Sequence, residues 1–334
     1  MIYTVTLNPS IDFLVRLPEF KVGEVNRMTS DDKFPGGKGI NVSRILARLD
    51  SHSTALGFLG GFTGAFIKEK LEAEDIQTDF VKIASDTRIN VKIKSSIESE
   101  INGAGPKISA AERDAFFAKL DVLSAEDIVV LAGSAPASLG QDFYLDVINK
   151  IKAQGAEFVI DIEGDVLVKS LANRPLVVKP NNHELGAIYG VEFDSVEELI
   201  PYGHKLLADG AQYAMISMAG DGALLFADGK TYFAKAIKGT VKNSVGAGDS
   251  MIAGFVGEFA KSHDAVKAFR QGVACGTATA FSDDLASTTF IQEIADQVVM
   301  KNVNSLILYL GRFSYENSRL IAKKCDDLIA QRDK

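Results

Sequence analysis

Cysteine is scarce in this chain of 334 residues, with only Cys275 and Cys325 present. Two thiols so far apart supply neither a metal-ligand spacing nor a disulfide framework, so a reducing compartment is expected. Histidine is nearly as rare, and His52, His183, His204 and His263 form no recognisable catalytic or metal pairing; no Ser-His-Asp ordering stands out either. Long apolar runs are missing, which excludes a helix that spans a membrane. The opening Ile2-Tyr3-Thr4-Val5-Thr6-Leu7 reads as a strand without the basic region or cleavage site of a signal peptide, so a cytoplasmic protein with no membrane partner is expected. Positive charge is in deficit, 36 Lys and Arg against 44 Asp and Glu, for a net charge of −8. That balance argues against nucleic acid as a partner and requires any anionic ligand to be held by a local basic cluster. Two phosphate motifs are absent as well: there is no G-x-x-x-x-G-K-[ST], and neither glycine cluster completes G-x-G-x-x-G.

What is present is an ordinary globular composition, 46% hydrophobic and 24% charged, which places the chain far from disorder. The length suits one large α/β domain with an accessory piece, or two modest domains. Strand-like runs at Tyr3–Leu7, Ala55–Leu59, Ile128–Leu131, Phe158–Asp161, Leu176–Lys179 and Ala214–Ser217 alternate with helical stretches. Several are apolar throughout, the pattern of a parallel sheet covered on both faces. Val42, Ile45, Leu46 and Leu49 share one helical face, and Phe143, Val147 and Ile151 another. Phe13 to Asp32 and Ile89 to Asn102 break the alternation and read as a small separate sheet, either a lid over the ligand edge or a solvated hairpin. From about Asn302 the tail changes character: an apolar patch around Leu306, Leu308, Leu310, Phe313 and Tyr315 precedes a helix-like stretch 317–332 with no assignable chemistry.

The most informative stretch is Gly246-Ala247-Gly248-Asp249-Ser250. Beyond it Ile252, Phe255, Val256 and Phe259 recur at helical spacing, so the small residues form the approach to a helix N-terminus. Bare amides and the helix dipole there favour a phosphoryl group, and Asp249 beside it can take a proton from an attacking alcohol. Ordinary N-capping is the alternative reading. A second glycine turn, Phe34-Pro35-Gly36-Gly37-Lys38-Gly39-Ile40-Asn41, opens the helix of Val42 and Ile45; Lys38 offers a cation and Asn41 an amide for a hydroxyl. Asp12 follows the first strand, where open α/β sheets bind ligands, and can accept hydroxyls of a polyol or simply shape a turn. Arg88, and less strongly Arg27, can clamp a phosphate or lie on the surface. Asn181 and Glu184 stand three apart after another strand, a spacing that serves either Mg²⁺ or a helix start with Glu at its third position.

Together these segments resemble the ribokinase-like sugar kinases, the PfkB family. Gly36-Gly37-Lys38-Gly39-x-Asn41 is similar to the family's N-terminal signature, Val241 to Met251 to its C-terminal one, and Asn181-x-x-Glu184 to its magnesium-linked motif. The resemblance covers about residues 1–300. It implies a ribokinase-like α/β fold, a central mostly parallel sheet flanked by helices on both faces, with a β-sheet lid from segments about 9–33 and 86–105; 301–334 would be an extension of open role. Thr4 to Asp12, Gly23 to Arg27, Thr87 to Lys92 and Ile101 to Pro106 are similar to the subgroup acting on phosphorylated ketohexoses. The implied reaction moves a phosphoryl group from ATP to the 6-hydroxyl of D-fructose 1-phosphate, with tagatose 6-phosphate as rival acceptor and a noncatalytic sugar-phosphate sensor as the other class. The resemblance makes Asp249 the base and the amides of Gly246, Ala247 and Gly248 the anion hole. It puts Asp12, Gly37, Lys38 and Asn41 on the sugar, Arg88 and Arg27 on its phosphate, and Lys179, Asn181, Ser217 and Gly222 on the nucleotide, with Glu184 positioning Mg²⁺ through water. It also implies a homodimer paired through the lid. Two departures stand out: Ala219 replaces a usual glycine beside Ser217, and Glu163 occupies a position where a small residue is common.

Overall fold

Strands buried on both faces need apolar side chains at every position, and the six strand candidates satisfy that demand because helices cover the sheet above and below. The computed structural model describes residues 1–162 and 164–303. Each of the six candidates is a strand, with ends within two residues of those expected. Eleven strands form the main sheet. Its parallel part runs in spatial order Gln77–Thr78, Ser53–Gly60, Ile2–Thr6, Ile128–Ala132, Glu157–Asp161, Val177–Val178 and Tyr213–Ser217. Val81–Ile83 also pairs in parallel with Ser53–Gly60. Beyond Tyr213–Ser217 the sheet continues antiparallel through Ala223–Ala227, Lys230–Ala234 and Met300–Asn302, an extension that the sequence reading does not anticipate.

Alternate side chains of each central strand feed two cores. Ile128 and Val130 pack with Ile45, Ile252, Phe255 and Phe269 on one face, whereas Val129 and Leu131 pack with Phe116, Val147 and Leu206 on the other. The predicted helical faces therefore lie where their periodicity requires, Val42, Ile45 and Leu46 in the first core and Phe143, Val147 and Ile151 in the second. Ile2–Thr6 has Ser53–Gly60 on one side and Ile128–Ala132 on the other, so the chain reverses its direction of travel across the sheet at this strand. Such a switch point opens a crevice at the carboxyl ends of the strands.

A second sheet of four strands stands apart from the first, in the order Ser30–Gly36, Ser10–Arg16, Arg88–Lys94 and Ser99–Ile101. Its middle strands follow directly from the main sheet: Ser10–Arg16 begins four residues after Ile2–Thr6 ends. The sequence breaks at Phe13 to Asp32 and Ile89 to Asn102 are thus a sheet of their own. Among the described residues no helix is long and apolar enough to cross a membrane. The apolar patch and helix-like stretch of the tail, and Glu163, lie outside the described residues.

Phe255 is fully buried on the helix Ala247–Ser262 and stacks on Phe259 with ring centroids 5.7 Å apart. Phe255→Ala should cost about 3–5 kcal/mol, read as a lower denaturant midpoint in equilibrium unfolding. A change within error would show that this helix is not part of the cooperative core.

Candidate active site

Two helices begin at the mouth of the crevice, and both begin on glycine. Lys38–Arg48 starts after Gly37, whose φ of 128° suits glycine and where an added Cβ would stand 2.6 Å from the Thr6 methyl. Ala247–Ser262 starts after Gly246, at φ 79°, where a Cβ would stand 2.8 Å from Leu285. Neither start has a side-chain cap. Bare helix starts are polarised toward anions, because their first amides lack intrahelical partners. The two meet: Asn41 Nδ2 donates to Asp249 Oδ2 at 2.8 Å across 208 residues of sequence. The Ser250 hydroxyl donates to the Gly246 carbonyl at 2.7 Å and hydrogen-bonds Thr279 at 2.8 Å, which pins the turn.

Behind this contact lies a cluster of buried charge. Asp161 ends the strand Glu157–Asp161 and pairs with Lys179 at 3.3 Å and Lys38 at 3.7 Å. Lys179 Nζ would stand 3.2 Å from a Cβ on Gly248, so the lysine lies against the glycine turn. Asp249 is 6% exposed. Burial pushes its pKa up to about 6, the Asp161 charge adds to the rise, and the Asn41 amide with Lys38 and Lys179 opposes it. A carboxyl poised there is ionised at neutral pH yet basic enough to accept a proton.

A cleft of about 1160 Å³ joins these groups to the small sheet. Of the expected site residues, Asp12, Gly37, Lys38, Asn41, Arg88, Lys179, Asn181, Glu184, Ser217, Gly246, Gly248 and Asp249 line it. Ala247 does not line it, and its amide is turned on the Ser244 carbonyl at 3.3 Å. Arg27 is exposed and outside the lining of its own chain's cleft. Gly222 is also outside it; there the chain closes a turn in which the Met218 amide donates to the Gly222 carbonyl at 2.9 Å. Arg88 is half-buried and tied to main chain: Nε and Nη2 donate to the Asn8 carbonyl at 3.2 and 3.0 Å, and Nη1 to the Gly103 carbonyl at 3.0 Å. Burial lowers the Arg88 pKa, with the Asp12 charge opposing.

The cleft also gathers Asn8, Ser10, Asn90, Ser134 and Asp161, none of which the sequence reading makes a site residue. Asp161 carried a usable signal, for it ends a predicted strand as Asp12 follows one. Asn90 carried none, because its place opposite Asp12 is set by the register of two strands far apart in sequence. Asn181 and Glu184 form a capping box, Asn181 N donating to Glu184 Oε2 at 2.7 Å and Glu184 N to Asn181 Oδ1 at 2.8 Å. Among the described residues no three His, Cys, Asp or Glu side chains converge as a metal cage. The donor set fits Mg²⁺ carried largely by phosphate oxygens and water, since Glu184 lines the cleft with one oxygen outside the cap.

Two bare helix starts aimed at one buried carboxylate, at the switch point of a doubly wound sheet, define a small-molecule kinase of ribokinase-like architecture. The chain belongs to the pfkB family of carbohydrate kinases, whose sequence profile matches residues 5–289. It is 51% identical to the 1-phosphofructokinase of Bacillus subtilis over 298 residues, covering 89% of this chain and 98% of that one. It is 38% identical to the D-tagatose-1-phosphate kinase of Bacillus licheniformis over 299 residues, covering 89% and 98%. Phosphofructokinase-2 of Escherichia coli, solved in complex with substrates and products, superposes with a TM-score of 0.85 at 26% identity, covering 89% and 99%.

A base works only when ionised, so kcat/KM should be level above neutrality and fall as pH drops through about 6. Asn41→Leu removes a donor that favours the charged carboxylate, so the acidic limb should move to higher pH. The acceptor's own phosphate titrates near this range, at about 6, and is common to both proteins, so the difference between the two pH profiles isolates Asp249. Superimposable limbs would dissociate Asn41 from the base.

Proposed function

We propose that the chain is a 1-phosphofructokinase, which transfers the γ-phosphoryl group of ATP to the 6-hydroxyl of D-fructose 1-phosphate and yields ADP and D-fructose 1,6-bisphosphate. The observation that carries this reading is the buried Asp249 carboxylate held by Asn41 between two bare helix starts. Asp249 takes the proton of the 6-hydroxyl as its oxygen forms a bond to the γ-phosphorus. The bond from that phosphorus to the β–γ bridging oxygen breaks, and its electron pair leaves with ADP. The amides of Gly246, Ala247 and Gly248 stabilise charge on the transferring group, Ala247 turning from the Ser244 carbonyl to do so. Asp12, Gly37, Lys38 and Asn41 hold the sugar, and Arg88 faces its existing phosphate with the donors that main chain leaves open.

On the donor side, Lys179, Asn181 and Ser217 face the nucleotide phosphates. Family membership carries ATP as donor, generally with Mg²⁺. When bound, Mg²⁺ neutralises phosphate charge, and Glu184 would hold it through water. Gly222 shapes the nucleotide loop through its tight turn, since a Cβ there would stand 2.2 Å from the Ala234 carbonyl oxygen. The cytoplasm is the proposed location. Two copies pairing through the lid are supported by its exposed apolar side chains, among them Val22 at 89%, Val25 at 82% and Ile101 at 61%. Arg27 belongs to the same exposed loop.

The similarity to a D-tagatose-1-phosphate kinase supports a second acceptor, which differs from fructose 1-phosphate at one stereocentre and keeps the phosphate on the same carbon. A coupled ADP-release assay should show the highest kcat/KM with D-fructose 1-phosphate, ahead of D-tagatose 1-phosphate and D-tagatose 6-phosphate. In the same assay Asp249→Asn should cut kcat by about 10²–10⁴-fold with binding of both substrates little changed, the range for a lost general base. Undiminished turnover would remove the base from Asp249, and no turnover of any sugar phosphate by the wild-type protein would favour a sensor.

A further inference from the structure

The carboxylate expected to receive the sugar hydroxyls is already engaged on both oxygens. Asp12 Oδ1 accepts from the Ser10 hydroxyl at 2.8 Å and from Asn90 Nδ2 at 3.1 Å, while Asp12 Oδ2 pairs with Lys92 Nζ at 3.3 Å. Both side chains of that ion pair are largely buried, Lys92 at 17% exposure and Asp12 at 19%. The carboxyl group packs against Gly36, where a Cβ would stand only 2.5 Å from it, so only glycine leaves it this place. One acceptor position remains on Oδ2, so a sugar that donates two hydroxyls to Asp12 must displace one of its present partners. Ser10 and Asn90 are held in a further network, Asn90 Nδ2 also donating to the Ser10 hydroxyl at 3.0 Å and Asn90 Oδ1 accepting from the Gly103 amide at 3.1 Å. Lys92 is the partner on a flexible stem.

The strand Arg88–Lys94 alternates, so Arg88, Asn90 and Lys92 share one face of the small sheet. Its parallel register with Ser10–Arg16 sets Arg88 opposite Ser10, Asn90 opposite Asp12 and Lys92 opposite Leu14. Arg88 meanwhile spends three N–H donors on the carbonyls of Asn8 and Gly103. A phosphate dianion at this end of the cleft meets a guanidinium with few donors left; Lys92 lies outside the cleft's lining, but its ammonium pairs with Asp12, which is part of it.

We propose that Lys92 is a substrate-binding residue that changes partner: in the empty protein it neutralises Asp12, and when the sugar phosphate arrives its ammonium passes to the phosphate while the sugar hydroxyls take its place on Asp12. The exchange rests on the sugar-phosphate kinase reading above. Neither group is left bare, since the ammonium keeps an anionic partner and the carboxylate gains hydroxyl donors. It also couples phosphate and hydroxyl recognition, because the ammonium that leaves Asp12 for the phosphate opens the carboxylate to a second hydroxyl.

The test is steady-state kinetics of the full chain with Lys92→Met and Lys92→Arg, on whichever sugar phosphate the wild-type protein turns over best, so that a wrong acceptor counts against the reading above and not against Lys92. Lys92→Met should raise KM for the sugar phosphate about tenfold or more, the size of one charge-assisted hydrogen bond, with kcat and KM for ATP little changed. Lys92→Arg should recover most of the loss. The preference for the phosphorylated sugar over D-fructose, as a ratio of kcat/KM values, should fall by a similar factor in Lys92→Met. A drop in kcat at unchanged KM, or an equal loss with D-fructose, would show that Lys92 only orients Asp12 and would overturn the exchange. An unaltered KM would overturn it as well.

Discussion

The contact between Asn41 and Asp249 is the constraint on which the site depends, because it locks together two helix starts that come from opposite ends of the chain. Each start alone is a modest anion site, a bare N-terminus with partial positive charge. Joined, they enclose a carboxylate that is dry enough to be basic and close enough to Lys38 and Lys179 to stay ionised at neutral pH, although the Asp161 charge works the other way. The sheet supplies the geometry: reversal of travel at Ile2–Thr6 opens the crevice, and glycine at 37 and 246 lets both helices enter it without a side chain in between. Chemistry and fold are thus set by the same few backbone positions.

The parallel half of the sheet is legible in the sequence because burial on both faces writes an unbroken apolar run, as in Ile128–Leu131. The antiparallel half carries a different signature. Asp228-Gly229 is a two-residue turn with positive φ at both positions, 51° and 72°, between Ala223–Ala227 and Lys230–Ala234. An Asp-Gly pair between two apolar runs is a strong hairpin signal, although the sheet changes sense one connection earlier, between Tyr213–Ser217 and Ala223–Ala227. The edge strands Gln77–Thr78 and Met300–Asn302 carry no such mark, for two or three residues are too few to show a period.

The residues of the cleft divide along a similar line. Gly37, Lys38, Asn41 and Asp249 are legible because local chemistry, a glycine turn opening a helix, announces them. Asn90, and Lys92 just outside the lining, are not, since what places them beside Asp12 is the pairing of Ser10–Arg16 with Arg88–Lys94 across more than seventy residues, whereas Ser10 reaches Asp12 along its own strand. Asn181 and Glu184 show the converse case. Their spacing of three suits a capping box first and a water-held cation second, and the structure shows the cap, through one Glu184 oxygen, on a residue that also lines the cleft. One pair of residues can serve both purposes, so the two readings of that motif do not compete.

A protein of net charge −8 that takes two phosphorylated substrates must hold its cations ready without leaving them unpaired in a half-buried cleft. The structure meets that requirement with carboxylates. Asp161 stands between Lys38 and Lys179 in the crevice of the main sheet, and Asp12 stands against Lys92 on the small sheet. Stripping a buried ammonium of its partner costs far more than exchanging one anion for another. Phosphates that arrive at such sites compete with resident carboxylates for the same donors, and a neutral ligand of the same shape cannot. On the exchange proposed for Lys92, Asp12 acts as a selector as well as scaffolding, because a ligand must carry negative charge to draw the ammonium from it.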